Sequence, residues 1–340
     1  IDSVATTANL DYYIKIVKEK ATRRRLIDTA TDIITDTYEE TNDLTSLLDH
    51  AEKNILNVVK TRKTSELIPI STALRQAQEN LENMAKNKST ITGITTGFYD
   101  LDKATAGLHE GELIIIAARP GMGKTAFALN LACNAAFSTD KAIAIFNLEM
   151  SAEQLVNRMI SSVGQIEGDK LKTGMLGHND WKRYNEALSE LAETNIYIED
   201  NAGITAPEIR AKCRRLASSE KGLGLVIIDY LQLVTTGGRP ESRQVEVSEI
   251  SRSFKTMAME LKVPVIALAQ LSRNAERRES NQPRLADLRE SGSIEQDADL
   301  VLFINRQDYY ENKSADNKQN IVPTDLIVAK HRRGGTGLYQ

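Results

Sequence analysis

The chain has 340 residues, of which 41% are hydrophobic and 26% charged, and its formal net charge is −4. This is an ordinary globular composition, long enough for one large or two modest domains. It excludes a globally basic nucleic-acid binder but leaves room for a local basic channel. Cys133 and Cys213 have no partner spacing, and His50, His109, His178 and His331 have no ligand spacing. Neither a disulfide framework nor a structural metal cluster is expected, and the cysteines read as small core residues. No apolar run approaches the ~20 residues of a membrane span, and no stretch has the pattern of a secretory signal. The expected setting is cytoplasmic, with no membrane partner. The first residue is Ile1 rather than Met, which reads as a piece of a longer chain.

Residues 1–60 read as the helical C-terminal part of an N-terminal domain. Tyr13, Ile14, Val17, Leu26, Ile27, Ala30, Ile33 and Ile34 recur at helical spacing; Thr37 to Asn42 is a polar break. Leu44, Leu47, Leu48, Ala51, Ile55, Leu56 and Val59 repeat the pattern. The pattern predicts two antiparallel helices joined by a short turn. Such a pair buries too little apolar surface to stand alone. Residues 61–97 read as a linker. Leu67, Ile70, Leu74, Ala77, Leu81 and Met84 form one apolar stripe, with Pro69 suited to the first turn. The polar stretch Lys86 to Thr92 detaches this helix, which leaves it to dock on a neighbouring subunit or to pack on its own core.

Residues 98–340 alternate apolar runs with helical patterns. Strands are expected at 113–117, 142–148, 225–229, 263–269, 299–304 and 325–331. Most are continuous Ile/Val/Leu runs, as in a parallel sheet covered on both faces. The prediction is a doubly wound, mostly parallel α/β domain, preceded by an all-α helical hairpin and a linker helix.

Directly after the first run comes Ala118-Arg119-Pro120-Gly121-Met122-Gly123-Lys124-Thr125, followed by the helix-forming stretch from Ala126. Strand, glycine-bearing loop and helix build a phosphate site from backbone N–H groups and the positive end of a helix. Pro120, Gly121, Met122, Gly123, Lys124, Thr125 and Ala126 are the nucleotide-contacting run. Lys124 reaches the β- and γ-phosphates, and the Thr125 hydroxyl holds Mg²⁺. Ala118 stands where the strict pattern has Gly.

In such a sheet, ligands bind at the carboxyl ends of the strands. Glu149 follows the second run and suits a base that orients the attacking water. Asp229, closing Leu-Val-Ile-Ile-Asp, suits a carboxylate that holds Mg²⁺. Gln270 closes the run 263–269 and can sense the γ-phosphate by hydrogen bonding. In Ala329-Lys330-His331-Arg332-Arg333-Gly334-Gly335, strand alternation projects Lys330 and Arg332 together. Gly-Gly then suits a hairpin turn. Two cations at a strand tip could reach the γ-phosphate of a neighbouring subunit. The half-strand Leu338-Tyr339-Gln340 implies further residues downstream. The loop 273–293 carries Arg273, Arg277, Arg278, Arg284 and Arg289 but no aromatic residue. It could grip phosphates without offering a stacking platform, although its acidic residues equally suit a solvated loop.

Taken in order, these motifs resemble the bacterial DnaB-type replicative DNA helicases, phage-encoded relatives included. The landmarks are Thr-Ala-Asn-Leu-Asp-Tyr-Tyr at 7–13, the phosphate loop within 117–130, and Leu-Glu-Met-Ser at 148–151. Ile-Asp-Tyr-Leu-Gln-Leu at 228–233, Gln-Leu-Ser-Arg at 270–273 and Arg-Glu-Ser-Gly-Ser-Ile-Glu-Gln-Asp-Ala-Asp at 289–299 complete the set. The resemblance implies a RecA-like ATPase motor and a homohexameric ring moving 5′ to 3′ on single-stranded DNA. ATP and Mg²⁺ are the implied cofactors; primase and a helicase loader are the implied partners. It also implies that Glu149 is the catalytic glutamate and that Lys330 and Arg332 act in trans. Arg158 is placed near the nucleotide, and Arg289, Glu290 and Gly292 in the DNA-contacting loop. Gly121 and Asn147 depart from the Ser more common in the family; Arg333 and Gly335 depart from Asn and Pro. A RecA-type recombinase and an ATP-switched platform that recruits primase or a loader without translocating are the alternatives.

Overall fold

The run expected at 113–117 is strand β1 (Leu113–Ala118), buried along its whole length. It lies inside an eight-stranded sheet. The structure, a computed structural model, describes residues 10–38, 47, 51, 54–55, 69–87, 91–237, 242–272, 282–306 and 323–339. The remaining strands are β2 (Ala142–Asn147), β3 (Ile196–Glu199), β4 (Leu223–Asp229), β5 (Val265–Gln270), β6 (Leu300–Asn305), β7 (Asp325–His331) and β8 (Gly337–Tyr339). Their spatial order is β3-β2-β4-β5-β1-β6-β7-β8. β1 to β6 pair in parallel; β7 and β8 close the edge as an antiparallel hairpin.

Every expected strand is present. β3 was not foreseen: it has four residues, is half-buried, and sits on the sheet edge, so its run is too short to stand out. The interior strands alternate between two buried faces, as a parallel sheet covered on both sides must. In β1, Leu113, Ile115 and Ala117 enter one core, and Ile114, Ile116 and Ala118 the other. The first core is roofed by helix α9 (Arg243–Leu261) through Val247, Ile250, Phe254, Met257 and Ala258. The second is roofed by α4 (Lys124–Ser138) through Ala128, Leu129, Leu131, Ala132 and Ala135, with α5 (Ala152–Val163) beside it.

Two compact units divide the chain, Ile1–Asn87 and Lys88–Gln340. The larger one begins ahead of the boundary expected at 98. Thr92 and Gly93 donate their N–H groups to the Ala106 carbonyl, and Ile94 exchanges both hydrogen bonds with Leu108. These bonds staple residues 92–98 beside helix α3 (Tyr99–Thr105), whose Asp102 carboxylate accepts from Thr95 and Thr96. In the smaller unit, α1 (Leu10–Tyr38) ends where the polar break was expected. The second helix of the expected hairpin lies mostly outside the described residues. Helix α2 (Ile70–Asn87) starts after Pro69, as expected, and leaves Ile70, Leu74 and Leu81 exposed on its apolar stripe.

Candidate active site

Parallel pairing brings the strand ends to one rim. Ala118 is in register with Gln270, and Asn147 with Asp229. From this rim β1 turns through residues 119–123 into α4. Gly121 and Gly123 take φ values of +80° and +90°, which a side chain would resist. A Cβ on Gly123 would meet nothing within 4 Å, so the space above the turn is open to a ligand. No side chain caps α4. Its first N–H groups therefore face that space with the positive end of the helix dipole.

The cleft at this rim has a volume of about 320 Å³ and gathers most of the expected residues. Pro120, Gly121, Gly123, Lys124, Thr125 and Ala126 line it from the loop, Glu149 and Arg158 from the far wall, and Gln270 from β5. Met122 is the exception on the loop. Its side chain is buried in the core, and its N–H is bonded to the Arg119 carbonyl at 3.3 Å.

Asp229 forms the floor and is 2% exposed. Its Oδ2 accepts from the Thr125 hydroxyl at 2.7 Å and from Asn147 Nδ2 at 3.2 Å. Its Oδ1 is buried without a hydrogen-bond partner, although the Lys124 ammonium stands 3.7 Å away. That ammonium also lies 4.6 Å above the Tyr230 ring. Burial pushes the Lys124 pKa below the ordinary lysine value, while Asp229 and Glu149 pull it back up. Tyr230 is pushed up by burial and by the same two carboxylates.

Glu149 is not at the strand tip. β2 ends at Asn147, and Glu149 follows in the turn before α5, exposed to the cleft. Ser151 and Gln154 form the capping box of α5. The capping chemistry therefore belongs to Ser151 and leaves the Glu149 carboxylate to the cleft. Gln270 is held by its backbone: the Gln232 amide accepts its N–H and donates to its carbonyl, both at 3.3 Å.

Lys330 and Arg332 are not in the cleft. They lie at the end of β7 against α10 (Gly292–Asp297). Asp299 accepts from the Leu113 N–H at 2.8 Å, from Lys255 at 2.6 Å and from Arg332 at 3.2 Å. The hairpin expected after Lys330 and Arg332 is present, with Val328 opposite Gly337. The backbone of Arg289 and Glu290 runs in the 3-10 helix Leu285–Ser291, and Gly292 opens α10. The side chains of Arg289 and Glu290, like residues 273–281, lie outside the described residues. Among the described residues no helix is long and apolar enough to cross a membrane, and no group of three or more His, Cys, Asp or Glu could hold a metal ion.

The family model of the DnaB-like helicase C-terminal domain matches residues 93–340. The chain belongs to the DnaB-like replicative DNA helicases. It is similar to the replicative DNA helicase DnaC of Bacillus subtilis, with 52% identity over 99% of this chain and 73% of that one. It is similar also to the replicative DNA helicase DnaB of Geobacillus stearothermophilus, with 50% identity over 100% of this chain and 74% of that one. Among solved structures, one ATPase domain superposes with a TM-score of 0.74 and 40% identity, covering 80% of this chain and 94% of that domain. A DnaB-like replicative helicase solved for its interactions with primase gives a TM-score of 0.81 and 36% identity, covering 99% of this chain and 77% of that one. A DnaB-like helicase is an ATPase.

Two features of the candidate site, and one at the opposite end of the sheet, were missed by sequence reasoning. The Asn147 and Gln232 amides and the Lys255–Asp299 pair each bond a partner distant in the chain, although Asn147 also accepts from the nearby Glu149 and Met150. The only local signal was a polar residue ending an apolar run, which Asn147 does show.

Proposed function

We propose that the chain hydrolyses ATP at the interfaces of a homohexameric ring and uses the energy to move 5′ to 3′ along single-stranded DNA, excluding the complementary strand. The observation that carries this reading is the convergence of Lys124, Thr125, Glu149 and Gln270 on one cleft above the Asp229 carboxylate. Lys124 and the loop N–H groups hold the β- and γ-phosphates. Glu149 orients the attacking water and takes its proton. Arg158 lies on the nucleotide side of the same cleft. Lys330 and Arg332 of the neighbouring copy bring positive charge to the γ-phosphate, which accounts for their absence from the cleft of their own chain.

The site also fits Mg²⁺. The orphaned Asp229 Oδ1 and the Thr125 hydroxyl are hard oxygen donors. Mg²⁺ in nucleotide sites is commonly held by one or two carboxylates plus substrate phosphates. When bound, the ion neutralises charge on the transferred phosphoryl group.

Gln270 senses loss of the γ-phosphate and passes it to the segment that follows, where Arg289 and the backbone N–H groups of Glu290 and Gly292 contact DNA phosphates. Head-to-tail sharing of the site closes into a ring or runs on as a spiral, and the ring is the form proposed. The exposed stripe of α2 ties neighbours together. Its fitting counterpart is an apolar groove of about 380 Å³ lined by Val156, Met159, Ile160, Leu188, Leu191 and Ile198. Primase and a loader are the proposed protein partners, and the cytoplasm the proposed compartment.

A forked duplex with a 5′ single-stranded tail tests the reading. ATP-dependent strand displacement on that fork, absent on a 3′-tailed fork and absent for Lys124→Ala, is expected. Strand pairing without displacement would indicate a recombinase. ATPase turnover indifferent to single-stranded DNA would indicate a recruiting platform.

A further inference from the structure

The last residue of β2, Asn147, is 1% exposed, and both ends of its amide are committed. Nδ2 donates to Asp229 Oδ2 at 3.2 Å. Oδ1 accepts the N–H of Glu149 at 3.0 Å and that of Met150 at 2.6 Å. The partners fix the orientation of the amide. Exchanging its O and N would set an NH₂ group against two N–H donors and an oxygen against a carboxylate. The backbone adds a strut: Asn147 pairs with Asp229 across the strands, and the Leu148 N–H donates to the Asp229 carbonyl at 2.8 Å.

We propose that Asn147 is a positioning residue for hydrolysis, one amide that sets the Glu149 turn and the Asp229 carboxylate at a fixed separation across the γ-phosphate site. The proposal rests on the reading of Glu149 as the base and Asp229 as the metal carboxylate. The physical case is that one amide reaches both groups. Glu149 is exposed, in a turn between a strand and a helix cap, and its main chain is bound on the N–H side by Asn147. Asp229 Oδ2 has two donors, Thr125 and Asn147. The Thr125 hydroxyl can serve a cation through a lone pair while its proton stays on Oδ2, so the amide is the second of two donors that hold the carboxylate. A base must sit within hydrogen-bond reach of its water, and small displacements of a reacting group cost rate steeply. Asn147 therefore acts on the rate of the chemical step and not on nucleotide capture, which the phosphate loop performs.

Two variants of the full chain separate the two ends of the amide. Asn147→Ala removes both. Asn147→Asp has nearly the same shape; it keeps the acceptor for Glu149 and Met150 but sets a second carboxylate against Asp229. The charged groups around that position are Asp229, Lys124 and Glu149, with the Tyr230 ring against Lys124. For Asn147→Ala, kcat for ATP should fall on the order of 10–100-fold, the usual cost of losing an outer partner of a metal ligand, with KM within threefold. For Asn147→Asp, which loses the donor to Asp229, kcat should fall at least as far as for Asn147→Ala, with KM again within threefold. Glu149→Gln is the control. If it abolishes turnover while Asn147→Ala keeps kcat within threefold, or loses only KM, the positioning role is overturned and the base stands. Turnover retained by Glu149→Gln overturns the reading beneath. Should Asn147→Ala not assemble, Asn147→Asp decides alone, and a kcat within threefold of the parent rejects the role.

Discussion

The Lys330 ammonium donates a hydrogen bond of 2.6 Å to the main-chain carbonyl of Glu295. Arg332 does the same for the Gln296 carbonyl, also at 2.6 Å. Both carbonyls belong to the last turn of α10, where a helix has no intrahelical partner for its C=O groups. The two cations thus cap, within their own chain, the helix that begins at the proposed DNA loop. Burial and Arg332 push the Lys330 pKa down, against the pull of Glu295, Asp299 and Asp297. These two residues would have to exchange the carbonyls for a neighbour's phosphate.

Loss of a cation supplied in trans should therefore cost far more activity than loss of a helix cap. Arg332→Ala should lower ATP turnover on the order of 10³–10⁵-fold while leaving ATP binding intact. Mixing it with Lys124→Ala subunits should recover activity, because some interfaces then combine an intact Lys124 with an intact Arg332. Turnover of mixed rings measures this, and the absence of any recovery would refute a shared site.

Salt dependence tests the DNA loop. If Arg289 neutralises one phosphate, Arg289→Ala should flatten the slope of log affinity against log salt by about one unit. An unchanged slope in a fluorescence-anisotropy titration with labelled single-stranded DNA would remove Arg289 from the contact set.

The Asp299 carboxylate is a stability element. It is 7% exposed and accepts from a β1 backbone N–H, Lys255 and Arg332. Asp299→Ala leaves a largely buried lysine without its carboxylate, with the Gly111 carbonyl still accepting from it, and a strand N–H without an acceptor. The expected cost is about 2–3 kcal/mol of unfolding free energy, read as a lower denaturation midpoint at unchanged slope. A shift below about 0.5 kcal/mol, the order expected of a surface change, would show the cluster to be solvated.

The thiols report on the two cores. Burial pushes Cys133 up to about 11 and Cys213 up to about 12, from an ordinary 9.0. Both thiols should be inert to Ellman's reagent at pH 8 in the folded protein and react at once in guanidinium. The raised folded values have a definite sign: protons are retained by the folded state and lost by the unfolded one above pH 9.0. Their contribution to stability is full below that pH and is lost as pH rises through about 11 for Cys133 and about 12 for Cys213. Rapid labelling of the native protein would contradict the burial of α4 and of helix α8 (Ala206–Ala217), which carries Cys213.

Much of the domain was legible because its signals are local. A continuous apolar run such as 113–117 can only be a strand covered on both faces or part of a buried helix, and the glycines after it decide for the strand. The stripe at 67–84 and the break after Thr37 are equally short-range, and α2 and the end of α1 agree with them. β3 escaped because four half-buried residues make no pattern. Glu149 was assigned to a strand end that Asn147 occupies, since an apolar run shows where a strand passes but not where its last ladder bond falls.

The amino-acid order by itself determined the phosphate loop, the identity of the polar residues that close the strands, and the cations before Gly334. Each of these depends on bonding geometry over a few residues. Only the tertiary structure decided that β1 lies between β5 and β6 and that β2 stands beside β4. That order puts Lys124, Asp229 and Gln270 on one rim and leaves Lys330 and Arg332 on another. It also turned Asn147 from a departure within one motif into the link between two carboxylates. Strand order is set by how two apolar faces are buried at once, a property of the whole sheet that no local stretch encodes.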